Sequence, residues 1–451
     1  MGALSRPEWL SRDLGFLLGA RALRSLALGF LGIILPIYLA DLGYTTTAMG
    51  ILFAVSAVVG ALMAAAVGLL ADRFGRKPFL VIISLLMAAG SVVFALSNNF
   101  TVMVGSAAIS TIGFVGAPGL GGGWGPYYPA AQSLVAEQAA HYHRTTVFGV
   151  LSFVGVIAGS AGSALAILPG LFNRLYGLPI VAGYRQLFIL SGVLGLAMAI
   201  IVLPIHELPR SAEAVENKMP AGTRRVRVAA ESPSQAGGRT LGITHATWRL
   251  LVRFMITNAT NGLAIGMLGP FVVYWFYRQF GASAAEIAKL YSVIGLIAAA
   301  PYLLAGPLTR RFGSVSTVVL TRAISAVLLL VMGVMPTFAL AALVYTVRMT
   351  VNVLSIPVRQ SYLMGVIEPS ERASAAGLAN LPAQGTRALS SYFAGYVMQH
   401  LALSMPIELA GALQAVNAYL YHRFFRDVRP PEEYFTVGEA DTEVSELRTA
   451  E

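Results

Sequence analysis

The chain alternates between long apolar blocks and short polar joints, and within a block the apolar residues run on without a period-two alternation. A block of about 20 such residues spans a bilayer as a helix, whereas barrel strands alternate over about ten. Twelve blocks are of this kind, at residues 14–41, 46–71, 78–97, 101–134, 146–170, 186–205, 248–277, 285–309, 315–334, 338–361, 374–399 and 402–424. The pattern predicts an all-α integral membrane protein with twelve transmembrane helices.

Composition agrees: 56% of the 451 residues are hydrophobic, 12% are charged, and the mean hydropathy is +0.70. Soluble domains do not combine these values. The first block is too long for a cleavable signal and carries arginines, so it is expected to remain in the membrane. Lysine and arginine in the short joints set the orientation. With the N-terminus inside, the cytoplasmic face collects Arg12, Arg73, Arg76, Lys77, Arg144, Arg310, Arg311, Arg372 and Arg423, against Arg174, Arg185, Arg278 and Lys289 outside. Both termini are therefore expected in the cytoplasm. The net charge of +10 is spread along one membrane face, which argues against a nucleic-acid partner. The chain has no cysteine, which excludes disulfides and thiolate metal sites.

Residues 206–246 are polar and basic and carry Pro and Gly, as in a cytoplasmic linker. They separate a six-helix bundle at 1–205 from a second at 247–425, and an acidic cytoplasmic tail follows at 426–451. The two bundles share an internal repeat. Gly68, Arg73, Phe74 and Gly75 recur as Gly306, Arg311, Phe312 and Gly313; Pro129, Gln132, Ser133, Arg144 and Gly149 recur as Pro357, Gln360, Ser361, Arg372 and Gly377. Parallel repeats of this kind place a binding site between them near the bilayer midplane.

Between the second and third blocks, Gly68, Asp72, Arg73, Gly75, Arg76 and Lys77 fit the pattern G-x-x-x-D-R-x-G-R-[RK] position for position. In this the chain resembles the major facilitator superfamily of secondary transporters, over residues 10–425. The resemblance implies two rocking bundles, a central site lined by the first, fourth, fifth, seventh, eighth, tenth and eleventh spans, and a cytoplasmic gate at this motif. Gly68 would allow close helix approach, and Asp72 would face the N-terminus of the eleventh helix in the opposite bundle. Arg73, Arg76 and Lys77 would pair with Glu137, near Arg144. In the second copy Arg310 stands where Asp72 would be, so the gate is asymmetric. The alternative is that these charges only fix topology.

Six arginines fall inside predicted spans: Arg21, Arg24, Arg253, Arg322, Arg348 and Arg387. Each costs roughly 2.5–3.5 kcal/mol to insert near the bilayer centre and needs a cavity or a partner. Arg21, Arg253 and Arg322 are close enough to the cytoplasmic end to snorkel. Arg24 is deeper. Arg348 and Arg387 lie halfway along their spans, with Asn352 one turn from the former and Asn380 and Gln384 on the stripe of the latter. Asn258 and Asn261 add polarity to the seventh span. No acidic residue and no histidine lies near mid-span; Asp41 and Glu286 are toward the outer ends. An anionic solute would neutralise the deep arginines. Alternatively, carbonyls and amides of the fold hold them.

Weaker signals are the Gly-rich stretch 116–126 with Trp124 and Tyr127, read as a helix kink, and His141 with His143, read as solvent-exposed rather than metal-ligating. Residues 155–163 ("GVIAGSAGS") approach the superfamily's antiporter pattern G-x-x-x-G-P-x-x-G-G but carry Ser160 in place of its proline. The expected function is transport of a small solute, an anion, by alternating access, in a cell membrane of the prokaryotic inner-membrane type. The expected protein is a monomer without metal or cofactor, with a proton or counter-anion as coupling ion. The rivals are proton-coupled efflux of amphipathic drugs or lipids, using Asp41 or Glu286, and a non-transporting receptor or scaffold. No catalytic constellation points to an enzyme.

Overall fold

The computed structural model describes residues 11–113, 125–138, 144–207, 245–298, 301, 308–309, 311–367 and 372–428. Among these residues there is helix and no strand. The first group of helices is α1 (Arg12–Asp41), α2 (Thr46–Phe74), α3 (Lys77–Leu96), α4 (Phe100–Ile109), α5 (Tyr127–Gln138), α6 (Arg144–Leu165), α7 (Leu168–Tyr176) and α8 (Ile180–Val202). The second is α9 (His245–Leu268), α10 (Phe271–Phe280), α11 (Ala284–Ala298), α12 (Ser314–Gly333), α13 (Phe338–Val366), α14 (Arg372–His400) and α15 (Met405–Phe425). Among the described residues, eight helical segments are long and apolar enough to cross a membrane.

Local chemistry sets the helix starts. Ser11, Thr45, Asn99 and Thr337 each accept a backbone N–H from the first turn of the helix they precede. Ser283 and Glu286 form a reciprocal capping box on α11: the carboxylate accepts from Ser283 N at 2.8 Å and Ser283 Oγ accepts from Glu286 N at 3.3 Å.

Several apolar blocks are not single helices. The block 101–134 stops at Ile109, followed by Thr111 at φ 61°, and helix resumes at Tyr127; Trp124 lies outside the described residues. The block 248–277 breaks at Gly269 and Pro270, where the proline has no N–H to continue the ladder. The fifth block breaks before Pro169, and the sixth helix begins at Ile180, directly after Pro179, rather than at residue 186.

In the first group α1 packs on α6 and α8, and α3 on α4 and α8; in the second α9 packs on α14 and α15, and α12 on α13 and α15. The groups meet along α2–α14 and α6–α11, with α1 also against α10. Small residues permit these approaches. A Cβ on Gly50 would lie 2.9 Å from Ser391 O, and one on Gly395 would overlap Thr46 O. Hydrogen bonds join the groups at the end away from the basic joints: Thr46 Oγ1 donates to Gly395 O (2.9 Å), Thr47 N to Gln399 Oε1 (3.1 Å) and Tyr277 Oη to Asp41 Oδ1 (2.5 Å). Further in, Ser160 Oγ donates to Ser292 O (2.5 Å) and Ser292 Oγ to Ser160 O (3.1 Å). That end is closed.

Overpacking costs about 1–3 kcal/mol, enough to invert a balanced two-state equilibrium. Gly395→Leu is therefore expected to open the end sealed by Thr46. Because the chain has no cysteine of its own, a Thr47→Cys reporter can be read cleanly with a membrane-impermeant maleimide. Labelling should be several-fold faster in the Gly395→Leu background, and equal rates would contradict the packing argument.

Candidate functional site

Two turns into α1, Arg21 and Arg24 follow one another by one helical turn. Arg24 is 2% exposed and lies over the ring of Tyr127, 4.9 Å from its centroid. Its other neighbours are weak acceptors: Thr111 Oγ1 at 3.4 Å and the sulfur of Met87 at 4.0 Å. A cavity opens beside it, lined by Leu17, Arg21, Arg24, Tyr127, Tyr128 and Gln132, with Val135 and Leu151 as apolar wall. The hydroxyl of Tyr127 is buried there without a hydrogen-bond partner among the described residues. The site thus combines cationic, hydroxyl and aromatic groups in the half of the first group nearer the basic joints.

Arg387 and Ser391 of α14 line a second small cavity with Phe53 and Ala57 of α2, and with Gly113, Ile265, Gly269 and Pro270. This cavity lies between the two groups. Arg348 lies elsewhere, inside the second group. It is 5% exposed, donates from Nε to Ser325 Oγ (3.0 Å), and sits 6.0 Å from the Tyr345 ring, whose hydroxyl meets that of Tyr291. The two mid-span arginines are therefore not brought into one pocket.

The expectation that Arg322 snorkels is corrected. It is 3% exposed and donates from Nη1 to Asn261 Oδ1 (2.7 Å) and Gln414 Oε1 (3.1 Å). Neutral amide oxygens within the bundle hold it, because its side chain leaves α12 on the inward face. Arg253 does reach the surface, donating to Phe424 O. Asn258 is buried and donates to Ala379 O (2.8 Å), tying α9 to α14. Asn352 is half-buried beside Arg348, Asn380 is exposed, and Gln384 is half-buried with a partnerless Oε1 among the described residues.

At the loop motif, Gly75 has φ 88°. The Glu207 carboxylate accepts from the backbone N–H groups of Arg76 and, at 2.5 Å, Lys77, at the start of α3. Arg76 Nη1 donates to Ser133 O on α5, one turn from Glu137. Among the described residues a Cβ on Gly68 would meet nothing within 4 Å. The side chains of Asp72, Arg73, Glu137 and Arg144, and residues Gly306, Arg310, His141 and His143, lie outside the described residues. Asp41 is engaged in the seal and Glu286 in the capping box. Among the described residues no cluster of three His, Asp or Glu could hold a metal.

Sequence reading missed Tyr128 and Gln132 as lining residues. Their signal was the repeated polar position at Gln132, one turn beyond the aromatic pair.

Two helical groups, closed on each other at one end and carrying buried polar cavities, define a multi-pass membrane transporter. The chain belongs to the Major Facilitator Superfamily, whose model matches residues 17–380 and 254–449. It is similar to an uncharacterized membrane protein of Saccharomyces cerevisiae, 21% identical over 424 residues, covering 89% of this chain and 92% of that protein. It is also similar to the quinolone resistance protein NorA of Staphylococcus aureus, 29% identical over 188 residues, 40% of this chain and 43% of NorA. The fold resembles that of a bacterial homologue of the human lysosomal transporter Spinster in an inward-facing, occupied conformation. The TM-score is 0.68 at 16% identity, over 94% of this chain and 98% of that one.

Interhelical hydrogen bonds in membranes contribute ~0.6 kcal/mol on average and up to about 1.7. Asn258→Ala is thus expected to lower the thermal unfolding midpoint in detergent. Tyr127→Phe removes a hydroxyl with no partner among the described residues and should leave the midpoint unchanged or raise it. An unchanged midpoint for Asn258→Ala would show that the bond to Ala379 contributes nothing.

Proposed function

We propose that this transporter moves a small organic anion, in an alternating-access cycle of two six-helix bundles joined by the linker 206–246. The observation that carries the reading is Arg24: a buried guanidinium at a cavity which, among the described residues, is offered an aromatic face, a distant hydroxyl and a sulfur. An anion entering beside Tyr127 would form charge-assisted hydrogen bonds that none of the described residues satisfies. Arg387, between the bundles, would bind the same charge as the bundles close over it. The tyrosines and Leu17, Val135 and Leu151 favour a solute with an apolar or aromatic body.

The loop motif fits the role of gate at the opposite end. With the Thr46–Gly395 end sealed, Glu207 occupies the start of α3 within its own bundle. Asp72 would engage α14 when the first end opens and the second closes. The membrane concerned is read as a cell membrane.

The stretch similar to the quinolone resistance protein supports a second reading, proton-coupled efflux of amphipathic compounds. It would need a titrating carboxylate, and of Asp41 and Glu286 only Asp41 joins the two bundles. Counterflow in proteoliposomes with a panel of carboxylates, phosphates and cationic dyes separates the readings. Anion exchange is expected to fall at least about tenfold in Arg24→Gln and in Arg387→Gln, as loss of one charged hydrogen bond implies. Dye efflux driven by a pH gradient and abolished by Asp41→Asn would replace the anion reading with the second.

A further inference from the structure

The cavity beside Arg24 is lined by a buried hydroxyl that the anion reading leaves unused. Tyr127 opens α5 and is 4% exposed, and its hydroxyl has no hydrogen-bond partner among the described residues. The ring itself is held in place: the Arg24 guanidinium lies over its face, 4.9 Å from the centroid, and is tethered in turn to Thr111 Oγ1 and the Met87 sulfur. Along α5, Ala131 and Val135 continue the Tyr127 stripe at four-residue spacing, Tyr128 and Gln132 form the stripe beside it, and both stripes line the cavity. A buried polar group without a partner is costly, so an orphan at the wall of a cavity marks where a ligand atom would be favoured.

The two polar functions of this corner differ in kind. Arg24 is a fixed charge whose planar fork matches a carboxylate with two parallel hydrogen bonds. Tyr127 ends in a neutral phenol that can donate and accept. Since the guanidinium sits over the ring and the hydroxyl is on the edge of the same ring, an anion seated on Arg24 has the hydroxyl beside it rather than across the cavity. Arg21 lies toward α6, where a Cβ added to Gly155 would be 2.7 Å from its Nε, so a second solute charge would be met on that side. A solute with only a carboxylate and an apolar body would cover the Tyr127 hydroxyl without meeting it. An oxygen on the carbon next to the carboxylate would meet it. Sites that hydrogen-bond a solute group reject analogues lacking that group far more strongly than an apolar pocket rejects a missing methylene.

We propose that Tyr127 is a specificity-determining residue of the solute site, and that the solute is a 2-hydroxy or 2-oxo carboxylate with an apolar or aromatic body. The inference rests on the anion reading above. Arg24 holds the carboxylate, Tyr127 Oη meets the adjacent oxygen, and Leu17, Val135 and Leu151 enclose the body.

The test uses 3-phenyllactate, phenylpyruvate and 3-phenylpropionate, which share a ring and a carboxylate and differ only at the carbon next to the carboxylate. Each is titrated against the purified full chain in detergent, with the rise in thermal unfolding midpoint giving the half-saturating concentration. Phenyllactate and phenylpyruvate are expected to half-saturate at concentrations at least about tenfold below phenylpropionate, as one buried hydroxyl met or left unmet implies. In Tyr127→Phe, which keeps the ring beneath Arg24, the three values are expected to converge to within about twofold. Equal half-saturation in the unaltered chain overturns the proposal. So does a preference that survives Tyr127→Phe, even if all three acids weaken together, because the hydroxyl then serves the carboxylate itself. Should Tyr127→Phe not fold, the preference of the unaltered chain decides the solute class. If none of the three acids binds while another anion exchanges in counterflow, this proposal falls and the anion reading stands. If no anion exchanges at all, the anion reading itself falls.

Discussion

A guanidinium that leaves water for the interior of a helix bundle must be solvated by whatever the bundle provides, and this chain provides no carboxylate at mid-span. That constraint organises the polar interior. Arg322 is held by two amide oxygens, Arg348 by a hydroxyl, a sulfur and one tyrosine face, and Arg24 by an aromatic ring with two long, weak contacts. The three solutions are graded. The better the protein solvates its own cation, the less a ligand gains by approaching it, so Arg24, the least well solvated of the three, is the one that gains most from an incoming anion.

The bundles must also move without paying for broken side-chain networks. Along α2 and α14 the contact is made by glycines and by backbone oxygens: Gly50 against Ser391 O, and Gly395 against Thr46 O. Side chains enter this contact as well: Gln399 Oε1 accepts from Thr47 N, and Phe53 and Arg387 line the small cavity between the two helices. The hydrogen bonds of Thr46, Thr47 and Tyr277 are few and lie at one end, where water can replace them. Inside each bundle the contacts are of another kind. Tyr38, Phe94 and Phe188 pack as an aromatic group in the first, and Phe254, Tyr362, Tyr421 and Phe425 in the second. Well-packed interiors with a close glycine contact between them suit rigid-body rocking.

Much of this architecture could be read from the chain because a bilayer imposes a length on every apolar block. The helical class and the approximate block positions follow from that one rule, and the loop motif between α2 and α3 from residue identities at fixed spacing. What it does not supply is rotation about the helix axis. Arg322 counts as shallow by sequence distance, yet its side chain points inward to Asn261 and Gln414, and only the three-dimensional packing of α9, α12 and α15 reveals this. Arg348 and Arg387 look like partners because both sit mid-span, but they leave their helices in different directions. The break at Pro270 was missed, although proline there marks it, because the block 248–277 is apolar throughout. Breaks were invisible where a single residue such as Thr111 takes an unusual backbone angle. Gly68 illustrates a different limit: its motif is plain in the sequence, but a Cβ there would meet nothing within 4 Å among the described residues.

Ser160 joins these strands of the structure. In the superfamily's antiporter pattern that position carries a proline, which has no hydroxyl to offer a neighbour and removes a helical N–H. Here the serine forms a two-way clasp with Ser292, so α6 meets the second bundle through side-chain and backbone oxygens. The flanking glycines face the other way: a Cβ on Gly162 would overlap Leu26 O of α1, and one on Gly155 would lie 2.7 Å from Arg21 Nε. One short stretch of α6 therefore sets the position of Arg21 at the solute cavity and carries a contact that closes the bundles. Cavity and clasp are thus joined through one helix, with the Gly155 face of α6 against Arg21 and the Ser160 face against Ser292 of α11.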